Sequence, residues 1–198
     1  MIELMKRTSI DADLERMELR IDSDRLFRYP FIYIAGRDAY GDFTSDEIER
    51  LRALLDAGGT LFADDATGIA DSGFDGWFRK QAAAVYPREK LGPLPNDHTL
   101  FRSFYFLDRI GGRTLIKDEI EGVTVGDRSP IIYCVNDVGG AWATDLFGKP
   151  LAQCVPGGER QREMAWRMGV NLFMYTLCMN YKKERAHVET ILERRKLR

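Results

Sequence analysis

The stretch 30-PFIYIAGRDAYGDFTSDEIERLRALLDAGGTLFADD-65 decides the fold. Phe31 to Ala35 is apolar throughout, as expected of a strand covered on both faces. Pro30 is tolerated only at its start, and Gly36 ends it. Thr44 with Glu47 three residues on is the capping-box pattern. Ile48, Leu51, Leu54 and Leu55 then repeat at helical spacing. Gly58 and Gly59 stop that helix, one of them at positive φ. Residues 60–63, TLFA, are a second buried strand. Strand, helix and strand joined over this length read as a parallel crossover.

The same reading extends outward. Residues 2–8 are helical, Asp11 and Asp13 mark a loop, residues 17–21 alternate weakly as a strand, and 22–28 form a turn or short helix. Downstream, Phe74, Trp77, Phe78 and Ala82 give residues 73–85 the apolar side of a helix. Residues 86–101 are Pro-rich and irregular. SFYFL, 103–107, packs as a short strand or an aromatic plug, and 113–129 is a hairpin or edge excursion. PIIYCVN, 130–136, repeats the earlier pattern of proline, buried strand and polar end. A long helix follows over about 159–180, then a charged tail. No internal repeat or low-complexity tract is present. The order of elements predicts an α/β fold with three layers and a mostly parallel sheet. It forms a single domain over 1–180 with a basic arm over 181–198. In such sheets ligands sit beyond the carboxyl ends of the strands.

Composition narrows the function classes. The 198 residues are 44% hydrophobic and 30% charged, with a net charge of -2. That balance fits a folded domain and gives no reason to expect nucleic acid as a partner. Cys134, Cys154 and Cys178 match no CxxC spacing. Cys134, in an apolar run, and Cys178, in a helix, read as small core residues, which fits a reducing, cytoplasmic compartment. No apolar run approaches a membrane span of ~18 residues, so the chain itself inserts in no membrane. The abrupt entry into the first helix fits a fragment of a longer or membrane-attached protein. Lys182, Lys183, Arg185, Arg194, Arg195, Lys196 and Arg198 make the arm basic. The interleaved Glu184, Glu189 and Glu193 suit a solvated helix or a docking arm for a protein partner or second copy.

Three buried strands end in polar groups: Arg37 and Asp38, then Asp64 and Asp65, then Asn136 and Asp137. Parallel strands would gather these at one rim as a ligand-binding set. His98, in the Pro-rich loop, joins them as a candidate. Asp64, Asp65 and His98 are the catalytic candidates, with one of the carboxylates as general base. Asp64, Asp65 and Asp137 are the candidate ligands of a divalent ion, which favours oxygen donors. No other cofactor is implied. Against these stands a simpler alternative, in which Asp and Asn at strand ends accept backbone N–H bonds and start turns. Arg37 either binds an anion at the rim or pairs with Asp38 or Asp65. No GxSxG elbow, P-loop, GxGxxG or HExxH is present.

YPFIYIAG, LRALLDAGGTLFADD, VYPREKLGPLPNDHTLF and MGVNLFMYTLCMNYKKERAHVETILERR together resemble the DUF4159 family, a bacterial domain of unknown function. The resemblance covers most of residues 5–195. It implies a flavodoxin-like sheet similar to class I glutamine amidotransferases and ThuA-like proteins. In the amidotransferase pattern a cysteine on a sharp elbow follows the strand carried here by TLFA. Asp64 and Asp65 stand there instead, and a carboxylate cannot replace a thiolate nucleophile. The resemblance therefore implies a non-catalytic ligand- or protein-binding module. The alternative from the residues is a hydrolase, divalent-metal-assisted or not, built on Asp64, Asp65, His98, Asn136 and Asp137.

Overall fold

A computed structural model describes the backbone of residues 1–13, 15 and 17–196, and the side chains of these up to residue 178. The opening stretch folds as its pattern predicts. β1 (Phe31–Gly36), α2 (Ser45–Asp56) and β2 (Thr60–Asp65) follow the short α1 (Ile2–Arg7), and β1 pairs with β2 in parallel. The Thr44–Glu47 capping box is formed at the start of α2, and Gly58 takes φ +119 where the chain leaves it. Without a Cβ, glycine enters that region at little steric cost.

After α3 (Gly73–Val85) come β3 (Leu91–Pro93), β4 (Glu121–Val125), β5 (Arg128–Cys134), α4 (Val138–Trp142) and α5 (Gly158–Lys196). The five strands lie in the order β1-β2-β5-β4-β3. β1, β2 and β5 are parallel, whereas β4 and β3 continue the sheet antiparallel. The sheet is thus mixed, parallel on one side and antiparallel on the other.

Alternation along β2 and β5 builds two cores. Leu61, Ala63, Ile131 and Tyr133 face Leu51, Leu55, Phe74 and Phe78 of α2 and α3. Phe62, Ile132 and Cys134 face Val138 and Ala141 of α4 and Met168 and Leu172 of α5. Three layers result, with helices on both faces.

Four local expectations change. Residues 17–21 form no strand, because only Ile21 packs on the core while Met17 is exposed. Residues 103–107 form no strand either; Leu107 is buried, Tyr105 packs beside α5, and Phe104 and Phe106 face outward. The Pro-rich segment yields β3, whose Pro93 is tolerated at a sheet edge. The expected hairpin is β4–β5, but β5 begins before Pro130. Val123 pairs with Ile131 and Val125 with Arg128, so one extra β5 residue bulges there and Pro130 gives up no ladder bond. The backbone of the tail continues α5 to Lys196, while its side chains, and with them the charges of the expected basic arm 181–198, lie outside what is described.

Candidate functional site

The carboxyl ends of β2 and β5 meet, with Asp64 opposite Cys134. Asp64 and Asp65 are consecutive in a strand and therefore point to opposite faces. Both are fully buried.

Asp64 turns toward α4. Its Oδ1 accepts from the Val138 N–H at 2.9 Å, and its Oδ2 accepts from the Gly139 N–H at 2.6 Å and the Tyr33 hydroxyl at 2.9 Å. The carboxylate thus sits on the first amides of α4. Burial pushes its pKa up to about 7, against the pull of the Gly139 and Val138 amides, and nearby Asp137 adds to the rise. Burial and the Asp64 charge push the Tyr33 hydroxyl well above its ordinary value, so it stays a donor.

Asp65 turns toward α3. One oxygen accepts from the Thr67 N–H at 2.9 Å and the Thr67 hydroxyl at 2.5 Å; the other accepts from the Ser72 hydroxyl at 2.5 Å. Ser72 is itself the N-cap of α3, accepting from the Asp75 N–H at 3.0 Å. Asp65 therefore closes the turn from β2 and ties it to the next helix.

Beyond β5, the Asn136 side chain accepts from the Ile116 and Lys117 N–H groups and donates to the Lys117 carbonyl, holding the incoming loop. Asp137 takes φ +53, caps α4 through the Gly140 N–H, and pairs with Arg113. Arg113 also donates to the Thr67 carbonyl at 2.9 Å, bridging the β2 and β5 ends.

Of the predicted set, Asp64, Asp65, Asn136 and Asp137 come together. Arg37 and Asp38 are exposed at the end of β1. Asp38 accepts from the Ala39 N–H, and Arg37 pairs with neither Asp38 nor Asp65. His98 is elsewhere. Its Nε2 lies 3.1 Å from the Ser129 hydroxyl and its Nδ1 accepts from the Leu100 N–H. Ser129 is near the start of β5, roughly 16 Å of strand away from the Cys134 level where Asp64 sits. The expected His98 contribution to the rim is therefore corrected: the connection from the edge strand β3 to its neighbour β4 carries this residue to the opposite end of the sheet. Burial lowers its pKa, as a neutral structural imidazole requires.

The carboxylates do not fit a divalent ion. The oxygens of Asp64 and Asp65 already face N–H and O–H donors, whose positive ends repel a cation. Among the described residues no three His, Cys, Asp or Glu side chains group around a point that could hold a metal. Cys134 is buried, and burial raises its pKa, which keeps it a core thiol; Cys178, expected in the core, lies on the exposed side of α5 instead.

Sequence reasoning missed a second polar group on the α3 side. Arg79 donates to both Glu121 oxygens at 3.0 and 2.7 Å and to Asp75 at 3.0 Å; Lys117 adds a 3.1 Å bond to Glu121. The Tyr133 hydroxyl donates to Asp75 at 2.8 Å. Burial pushes Glu121 up, but the bonds from Arg79 and Lys117 pull harder and leave its pKa below the ordinary value. The local signals were the four-residue spacings of Asp75 with Arg79, on one helix, and of Lys117 with Glu121. Tyr33 was hidden in an apolar run, and Arg113 has no partner near it in sequence.

With this geometry in place, comparison identifies the fold unit. Residues 1–177 match the family described as a domain of unknown function, DUF4159, and the chain belongs to that family. No curated protein matches it. Among the described residues no helix is long and apolar enough to cross a membrane.

Proposed function

We propose that this domain is a non-catalytic binding module on an amidotransferase-like, flavodoxin-like scaffold, for a protein partner or a small-molecule ligand. The observation that carries the reading is the saturation of the strand-end carboxylates. Asp64 and Asp65 are buried, and every oxygen faces a donor of the protein's own backbone or hydroxyls. A general base must instead present a free lone pair to substrate. The position that would carry a nucleophilic cysteine in the amidotransferase pattern is held by Asp64, and its carboxylate is committed to fastening α4. In this reading the basic arm 181–198 is a docking element.

The test is a turnover screen of the purified chain on ester, amide and phosphoester substrates, alone and with Mg²⁺, Mn²⁺, Ca²⁺ or Zn²⁺. Calorimetry of each ion runs alongside. The expected result is no turnover and no saturable ion binding. Turnover that disappears in Asp65→Asn, in a variant that still folds, would overturn the reading.

A further inference from the structure

The strand-end carboxylates are closed to a ligand, but a cavity stands at the same end of the sheet. β4 begins at Glu121, opposite Tyr133 near the carboxyl end of β5, and the Leu94 N–H donates to the Ile120 carbonyl at 2.8 Å. Residues drawn from 94–96, 101–110 and 118–120 line a cavity of about 330 Å³ there. In open α/β sheets ligands sit beyond the carboxyl ends of the strands, and this volume is at the small end of those that accept them.

Three buried carboxamides fix the backbone around the cavity. Asn136 accepts from the Ile116 and Lys117 N–H groups and so holds the strap that carries Asp118 and Glu119. Gln161 donates to the Gly112 carbonyl at 2.7 Å, and Gly111 lies so close to α5 that a Cβ would stand 2.4 Å from the Gln161 carbonyl. Asn171 donates to the Leu100 and Tyr105 carbonyls and accepts from the Tyr105 N–H, which holds the segment from Phe101 to Leu107. The walls are therefore set before any ligand arrives, which lowers the entropy lost on binding.

The lining has an apolar floor and both signs of charge. Leu94, Phe101, Leu107 and Ile120 are buried beneath it. Arg102 and Arg109 share it with Asp108, Asp118 and Glu119. All five charged side chains are exposed, and none makes an ion pair or a hydrogen bond among the described residues. Arg102 lies over the Phe106 ring, 5.3 Å from its centre, which restrains its guanidinium. Other arginines of this chain find carboxylates, as Arg7 finds Glu163 and Arg79 finds Glu121. Here two cations and three acids line one cavity and stay apart. An anion alone would face three acids there, and a cation alone would face two guanidiniums.

We propose that this cavity binds a small zwitterion with an apolar body, in the size range from a large α-amino acid to a dipeptide. Its carboxylate goes to Arg102 and Arg109, whose forked N–H donors match a carboxylate. Its ammonium goes to the acids, and its apolar part rests on the floor. The inference rests on the binding-module reading and names a ligand class for it.

Calorimetry of the full chain against the free L-amino acids and a panel of apolar dipeptides tests this. Saturable one-to-one binding by at least one member is expected. N-acetylation and C-amidation of that member should each weaken binding at least about tenfold. Arg102→Ala with Arg109→Ala should weaken the free form by a similar factor and leave the C-amide unchanged. Asp118→Asn with Glu119→Gln should weaken the free form and leave the N-acetyl form unchanged. All four residues are exposed, so each variant should melt where the wild type does. No saturable binding by any member would overturn the proposal. So would equal binding of the capped forms, which would leave an apolar ligand, or binding indifferent to both variants, which would place the ligand elsewhere. Cleavage of a bound dipeptide would sink the non-catalytic reading and leave the zwitterion site standing, whereas an empty panel with no turnover would do the reverse.

Discussion

Two neighbouring corners of the sheet handle buried carboxylates in different ways. On the α3 side, Asp75 and Glu121 are met by full cations, Arg79 and Lys117, in a half-buried cluster. On the α4 side, Asp64 is met by no cation at all, only by two backbone amides and a phenol. Ion pairs near solvent are screened by salt and contribute little each. Amides fixed at a buried site are not screened, but they leave the charge only partly compensated, and burial then raises the proton affinity. One corner is built to hold charge against solvent, and the other to hold a helix against a strand.

The comparison is broken most directly at Asp64. Asp64→Ala leaves the Val138 and Gly139 N–H groups without their acceptor and should cost roughly 3–5 kcal/mol. In a chain of this size that lowers the melting midpoint by roughly 10 °C. A loss below about 1 kcal/mol in urea melts would mean that water replaces the carboxylate freely.

The same variant sharpens the comparison through pH. With its folded pKa at about 7 against an ordinary value of 3.8, Asp64 keeps its proton where the unfolded chain has lost it. Its contribution to stability therefore falls as pH rises from about 4 to 7. The stability gap between wild type and Asp64→Ala should be largest near pH 4 and narrow toward pH 7. A gap that widens over that range would show that the amides outweigh burial and hold Asp64 charged.

Ser72→Ala removes both a donor to Asp65 and the N-cap of α3. It should cost about 1–2 kcal/mol at any salt concentration. The smallest effect belongs to the cation-braced corner. Glu121→Gln should cost about 1 kcal/mol at low ionic strength and less in 1 M salt, whereas the cost of Asp64→Ala should not change with salt. Equal salt responses in chemical melts would erase the distinction between the corners.

Much of this was legible in the chain. The capping box, the glycine stop and the two apolar runs define β1, α2 and β2 because each signal is local. The adjacency of Asp64 and Asp65 in a strand already implied opposite faces. What could not be read was where long connections go. His98 shares a Pro-rich segment with no periodicity, so nothing local says which end of the sheet it reaches. Arg113 finds Thr67 and Asp137 through three separate loops, and neither spacing nor composition announces that meeting. The mixed sheet was hidden for a similar reason: β3 is three residues long and sits among prolines, and a strand so short has too little pattern to detect.

The bulge at Pro130 has an effect well away from its own hairpin. By loosening the ladder it frees the Ser129 amide, which donates to the Tyr175 hydroxyl at 2.7 Å. Asn171, one turn earlier on α5, meets the Leu100 and Tyr105 backbone. A long helix resting on an oily sheet has many nearly equivalent seats, each a small screw-step from the next. These polar contacts act as detents that select one seat, so a kink in one strand sets the angular position of the longest helix in the molecule.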